Sequence, residues 1–149
     1  MNVEVLSHKN LESLLNMVMK IWPDCNRQEE HKYYLNAIDS KKEIVFLAEV
    51  SGQHIAFAHA TLRTDYVEGT STRPVAYLEG IYVEPDHRRQ NVAVLLMKKV
   101  EKWGLAMGCS ELGSDVEINN MQSESLHKKV GFKEANRVIC FAKKLGADG

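Results

Sequence analysis

The chain of 149 residues is long enough for one domain with a buried core, and its 44% hydrophobic and 26% charged residues are those of an ordinary globular protein. A formal net charge of −1 leaves no broad basic face, which argues against nucleic acid as the main partner. No run comes near the ~20 apolar residues needed to cross a bilayer, and the opening MNVEVLSHKN does not read as a signal peptide. Three widely spaced cysteines (Cys25, Cys109, Cys140) and six histidines in no zinc spacing point to a cytoplasmic protein with reduced thiols and no metal.

In chain order, VEVL (3–6) reads as a short strand. A helix over 7–22 follows, capped by Ser7, with Leu11, Leu14, Leu15, Val18 and Ile21 or Trp22 on one stripe and Pro23 as its stop. Residues 27–38 form a second, more polar helix. EIVFLAEV (43–50) and HIAFAHATLR (54–63) flank SGQ and predict an antiparallel hairpin. After a loop over 64–74 comes the apolar strand VAYLEGIYVE (75–84), with a charge and a glycine in its middle. A helix over 90–107 puts Val92, Leu95, Leu96, Val100, Trp103 and Met107 on one face, and Gly108 ends it. CSELGS (109–114) is a short strand, 119–130 a helix stopped by Gly131, and 132–145 a terminal strand region. The expected fold is a single α/β domain over 1–145, a mixed sheet flanked by helices, with 146–149 as a tail. The crossover from 75–84 through the helix to 109–114 makes those two strands parallel.

That crossover carries the chemistry. Arg88 and Arg89 stand at the mouth of a helix, where unpaired amides and the helix dipole favour an anion such as a phosphate. The alternative is a solvated basic turn. The turn lies at the carboxyl end of a central strand, where ligands of open α/β sheets bind. RRQNVA (88–93) resembles the acyl-CoA pyrophosphate loop of the GCN5-related N-acetyltransferases, Q/R-x-x-G-x-G/A, with Asn91 in place of the first glycine. Asn tolerates positive φ better than most residues, so the turn survives the change. The segments IWP (21–23), DYVEGTSTRPVAYLEGIYV (65–83), HRRQNVA (87–93), SD (114–115) and HKKVGF (127–132) extend the likeness over essentially the whole chain. Together they are similar to the short chromosomal aminoglycoside 6′-N-acetyltransferases.

The resemblance implies the GNAT fold, acetyl-CoA as co-substrate, a 6′-amine of an aminoglycoside as acceptor and a homodimer. It implies that Trp22, Tyr66, Glu79 and Asp115 line the aminoglycoside site. It implies further that Ile81, Tyr82 and Val83 offer backbone groups to the acetyl-pantetheine arm. Arg88, Arg89, Gln90, Asn91, Val92 and Ala93 would hold the pyrophosphate, and Asn120 would hydrogen-bond the cofactor. Two departures bear on substrate range: Cys25 stands where relatives carry a histidine, and Asn136 where they carry a substrate-binding glutamate.

The residues themselves allow the same chemistry. Acetyl transfer to an amine needs a proton acceptor, for which Glu79 and Asp115 are the candidates, and a donor to the oxyanion. A bulge at Gly80 would free a backbone N–H for that purpose. Other readings stand beside these: Glu79 pairing with an arginine, Asp115 or Asn120 as a cap, Trp22 as a hydrophobic lid, His127 as a packing or solvated histidine. No cysteine has an activated partner, which favours direct transfer in a ternary complex over a covalent route. The rival functions are acetylation of another polyamine or peptide amine, and a non-catalytic acyl-CoA-binding module.

Overall fold

The alternating runs predicted from the sequence form one five-stranded sheet in the computed structural model, which describes residues 1–146. The strands β1 (Asn2–Val5), β2 (Glu43–Val50), β3 (Gln53–Arg63), β4 (Val75–Val83) and β5 (Leu112–Ser114) lie in the order β1-β2-β3-β4-β5. The first three pairings are antiparallel, and β4 pairs with β5 in parallel, as the crossover requires. The helices are α1 (Leu11–Ile21), α2 (Arg27–Ala37), α3 (Val92–Ala106) and α4 (Met121–Lys129). A short 3-10 turn over Pro85–His87 joins β4 to the segment before α3.

Alternation along β2 and β3 assigns each helix its layer. Val45, Leu47 and Phe57 pack with Leu11, Leu14, Leu15, Val18 and Tyr34 of α1 and α2 on one face. Ala48, Ile55, Ala56, Ala58, Ala60 and Leu78 receive α3 on the other. The small residues of that second face let the helix approach closely. The buried stripe of α3 is Val92, Ala93, Leu96, Met97, Val100 and Gly104. It is rotated from the predicted face, which included Leu95, Trp103 and Met107. Gly104 is chosen by contact, since a Cβ there would stand 3.2 Å from the Ala76 methyl.

Three local expectations are corrected. Ser7 does not cap α1: the helix starts after Asn10, and Ser7 instead accepts from Lys9 N–H and donates its own amide to Asn10 Oδ1. Strand β5 is shorter than predicted, covering Leu112–Ser114 only. Residues 132–145, expected as a strand region, adopt no strand. They pair with none of the five strands, although β5 and the end of β4 keep an unpaired edge.

One buried polar pair ties the first layer together. His59 Nε2 donates to Glu43 Oε1 at 2.8 Å, and the Tyr33 hydroxyl donates to the same oxygen at 2.8 Å. The His59 hydrogen bond, against the opposing effect of burial, holds the Glu43 carboxyl below its ordinary value. A depressed carboxylate contributes stability that is present above its unfolded-state pKa and lost as pH falls through its folded-state pKa. Glu43→Gln should therefore lower stability at pH 7 and flatten its decline as pH falls from 7 through and below about 4.5. Urea midpoints of parent and variant across that range measure the difference, and parallel curves would refute it.

Candidate functional site

The sequence places a charge and a glycine in the middle of an apolar strand, and the register shows why. His59 faces Gly80 across the ladder while Ala60 faces Leu78, so Glu79 is an extra residue in β4 and the strand bulges there. Gly80 makes room here for Trp22, the residue that ends α1 and packs over the bulge: a Cβ would lie 2.8 Å from its Cη2 and the ring would have to shift. On the other edge, pairing with β5 stops at Leu78 and Ser114, although β4 continues to Val83. The two strands part, and a cleft of about 750 Å³ opens between them.

At one end of the cleft lies the start of α3. Asn91 is its N-cap with φ 62° and ψ 19°, and Arg89 also has a positive φ of 63°. The left-handed geometry read into Asn91 is therefore present, and Arg89 shares it. The Asn91 side chain does not cap the helix, and the first helical bond runs from Leu95 N–H to Asn91 C=O. The amides of Val92, Ala93 and Val94 face the cleft end without an intrahelical acceptor, a ready cradle for an anion. Arg88 braces this turn. Its Nε donates to Val83 C=O at 2.8 Å, and its guanidinium carbon lies 5.7 Å from the Tyr82 ring centre.

At the other end two carboxylates face the cavity. Glu79 accepts from the Thr61 hydroxyl at 2.9 Å and from Arg63 at 2.9 and 3.0 Å. Asp115 accepts from the Tyr77 hydroxyl at 2.6 Å. Burial first, and then that hydrogen bond to Asp115, push the Tyr77 phenol upward, so it stays a donor at any ordinary pH. The cleft thus offers backbone N–H groups to an anion at one end and two carboxylates to a cation at the other.

Among the residues expected at the site, the cleft brings together Trp22, Glu79, Ile81, Tyr82, Val83, Arg88, Arg89, Asn91, Val92, Ala93, Asp115 and Asn120. Gln90, Tyr66 and Asn136 are not among its lining. Tyr66 is 65% exposed in the 64–74 loop. Asn136 donates to Glu68 of that loop at 2.6 Å. Asn120 caps α4 by accepting from Ser123 N–H at 3.1 Å, which leaves its amide NH2 for other partners.

Sequence reasoning passed over one pair. His127 Nδ1 lies 2.7 Å from the Ser123 carbonyl, which can only accept, so Nδ1 carries the proton. The Ser114 hydroxyl lies 2.7 Å from Nε2 and 3.2 Å from the Leu78 carbonyl, and its single proton serves one of the two at a time. Ser114 and His127 line the cleft at the end of β5. The only sequence signal was position: Ser114 next to Asp115, and His127 one helical turn after Ser123.

Residues 11–132 match the model of the acetyltransferase (GNAT) family. The chain is 37% identical to an aminoglycoside N(6′)-acetyltransferase type 1 from Acinetobacter haemolyticus, over 97% of this chain and 99% of the other. It is also 37% identical to one from Serratia marcescens, with the same coverage. Among solved structures, the apo aminoglycoside 6′-N-acetyltransferase AAC(6′)-IG from Acinetobacter haemolyticus superposes with a TM-score of 0.92 at 35% identity, over 97% of this chain and 99% of that one. AAC(6′)-Iy in complex with the bisubstrate analogue CoA-S-monomethyl-acetylneamine gives a TM-score of 0.92 at 32% identity, over 96% and 97%. A bulged, splayed strand feeding an anion cradle, and matches of this extent, have one reading: the chain belongs to the acetyltransferase (GNAT) family, alongside the aminoglycoside N(6′)-acetyltransferases.

Proposed function

We propose that this protein transfers the acetyl group of acetyl-CoA to the 6′-amine of an aminoglycoside, directly within a ternary complex, and so confers antibiotic resistance. The observation that carries the reading is the polarity of the cleft, with unpaired amides at one end and paired carboxylates at the other. Acetyl-CoA supplies the activated thioester. The amides of Val92, Ala93 and Val94, with Arg88 and Arg89 beside them, fit its pyrophosphate, and Asn120 and the free edge of β4 at Ile81, Tyr82 and Val83 fit its pantetheine arm. Asp115 and Glu79 hold and deprotonate the amine. A backbone N–H freed at the bulge faces the developing oxyanion. Trp22 covers this end of the cavity, with Tyr66 and Asn136 contributing to the substrate from the 64–74 loop side.

Thiol release from acetyl-CoA tests the reading. We expect release with a 6′-amino aminoglycoside and none with its 6′-hydroxy analogue. Turnover of simple polyamines or peptides with no aminoglycoside response would establish the rival acceptor. Binding of acetyl-CoA with no turnover on any amine would establish a non-catalytic module.

We also propose a cytoplasmic homodimer. Its support is the chain's last stretch: Val138, Ile139, Phe141 and Leu145 are 67%, 82%, 91% and 90% exposed. A lone chain in water leaves that apolar surface unburied, and a second copy removes it. Among the described residues no helix is long and apolar enough to cross a membrane. Light scattering should return twice the chain mass, and truncation after Gly131 should return the monomer. A monomeric full-length chain would rule the dimer out.

A further inference from the structure

A cation stands beside the acidic end of the cleft, paired with Glu79 from outside the lining. Arg63 is the last residue of β3, and strand alternation puts it on the same face as Thr61. Thr61 in turn faces Tyr77 across the ladder. Arg63 lies back along this face. One guanidinium nitrogen stands 2.9 and 3.0 Å from the two oxygens of Glu79, and the guanidinium carbon lies 3.5 Å above the centre of the Tyr77 ring. The hydroxyl of that ring donates to Asp115. A single positive group therefore covers both carboxylates of the cleft, one by direct contact and one through the aromatic ring between them.

Glu79 does not need this arginine to hold its place. The bulge fixes its backbone and Thr61 supplies a second donor. The pair is also wet, with the Arg63 side chain 43% exposed and that of Glu79 27%. Exposed ion pairs are held weakly, so a ligand ammonium exchanges with the guanidinium at little cost. We infer that Arg63 is a resident counter-cation of the amine subsite, occupying the place of a substrate ammonium on Glu79 and opposing every cation that enters. It is a specificity-determining residue, setting how strongly cationic an acceptor must be, and takes no part in bond making. The inference rests on the aminoglycoside reading above.

The test compares the parent with Arg63→Met and Arg63→Gln, which remove the charge, and with Arg63→Lys, which keeps the charge and loses the planar fork. Steady-state kinetics are run with a 6′-amino aminoglycoside and acetyl-CoA, at low and moderate salt. With the charge gone, KM for the aminoglycoside should fall on the order of five-fold at low salt, and the gain should shrink as salt rises. The KM for acetyl-CoA should stay within about two-fold of the parent, and Arg63→Lys should behave as the parent does. An aminoglycoside KM that is unchanged or raised in both neutral variants overturns the inference. So does a lysine variant that shifts as far as they do, because Arg63 would then be a geometric brace for Glu79. A parent that acetylates no aminoglycoside overturns the proposed function and this inference together, so the two failures are told apart by the parent alone.

Discussion

Asp115→Asn should lower kcat for aminoglycoside acetylation by on the order of 10²-fold or more, with a much smaller change in KM. One oxygen of Asp115 is occupied by the Tyr77 hydroxyl at 2.6 Å, and the phenol is held in its protonated form by burial and by that same bond. The carboxylate is thereby oriented with its other oxygen available to an amine. Asn preserves the shape and can still accept from Tyr77, but it cannot take a proton at ordinary pH. The loss therefore falls on the step in which the amine is deprotonated. Glu79 differs in kind. Both of its oxygens are engaged by Arg63, and Thr61 adds a further donor. Its first contribution is negative charge on the substrate, so Glu79→Gln should raise KM and lower kcat together. Steady-state kinetics on the two variants separate these roles. If Asp115→Asn turns over at the parent rate, Asp115 is not the proton acceptor.

Asn91→Asp should weaken acetyl-CoA by about 10- to 100-fold, as a full negative charge within several ångströms of a pyrophosphate requires. The substitution is isosteric, and Asp, like Asn, tolerates the left-handed backbone found at φ 62°. A carboxylate at the start of α3 also favours the helix dipole by roughly 0.3–1 kcal/mol, so the ligand-free protein should not be destabilised. Affinity and stability then move in opposite directions, which a general folding defect cannot imitate. Asn91→Gly complements it. The strain of a non-glycine residue in this region is relieved, and the ligand-free protein should gain several tenths of a kcal/mol. Melting curves without ligand and calorimetric titration with acetyl-CoA measure both effects. Unchanged acetyl-CoA affinity in the aspartate variant would remove the pyrophosphate from this helix end.

Residues close in sequence determined much of this protein on their own. The periodicity of 75–84, 90–107 and 109–114 gave a parallel crossover, because a strand, a helix and a strand in that order have one favoured hand. Gly80 within an apolar strand predicted the bulge, and Asn91 in a glycine position predicted positive φ, the second from local backbone sterics alone. Those features are enough to place the anion cradle. What surrounds them was decided only in three dimensions. Arg63 and Glu79 are 16 residues apart and meet because the antiparallel pairing of β3 with β4 brings them onto one face. Ser114 and His127 meet because α4 returns to the end of β5. Asn10 takes the N-cap position in place of Ser7, and its side chain turns away from the helix, accepting from Ser7 N–H and donating to Val5 C=O at 3.1 Å. Residues 132–145 have the composition of a strand yet join none of the five strands of the sheet. Local propensity fixes what a segment can become, whereas the partner for its hydrogen bonds and charges is supplied by distant residues, whose arrival only the packed structure determines.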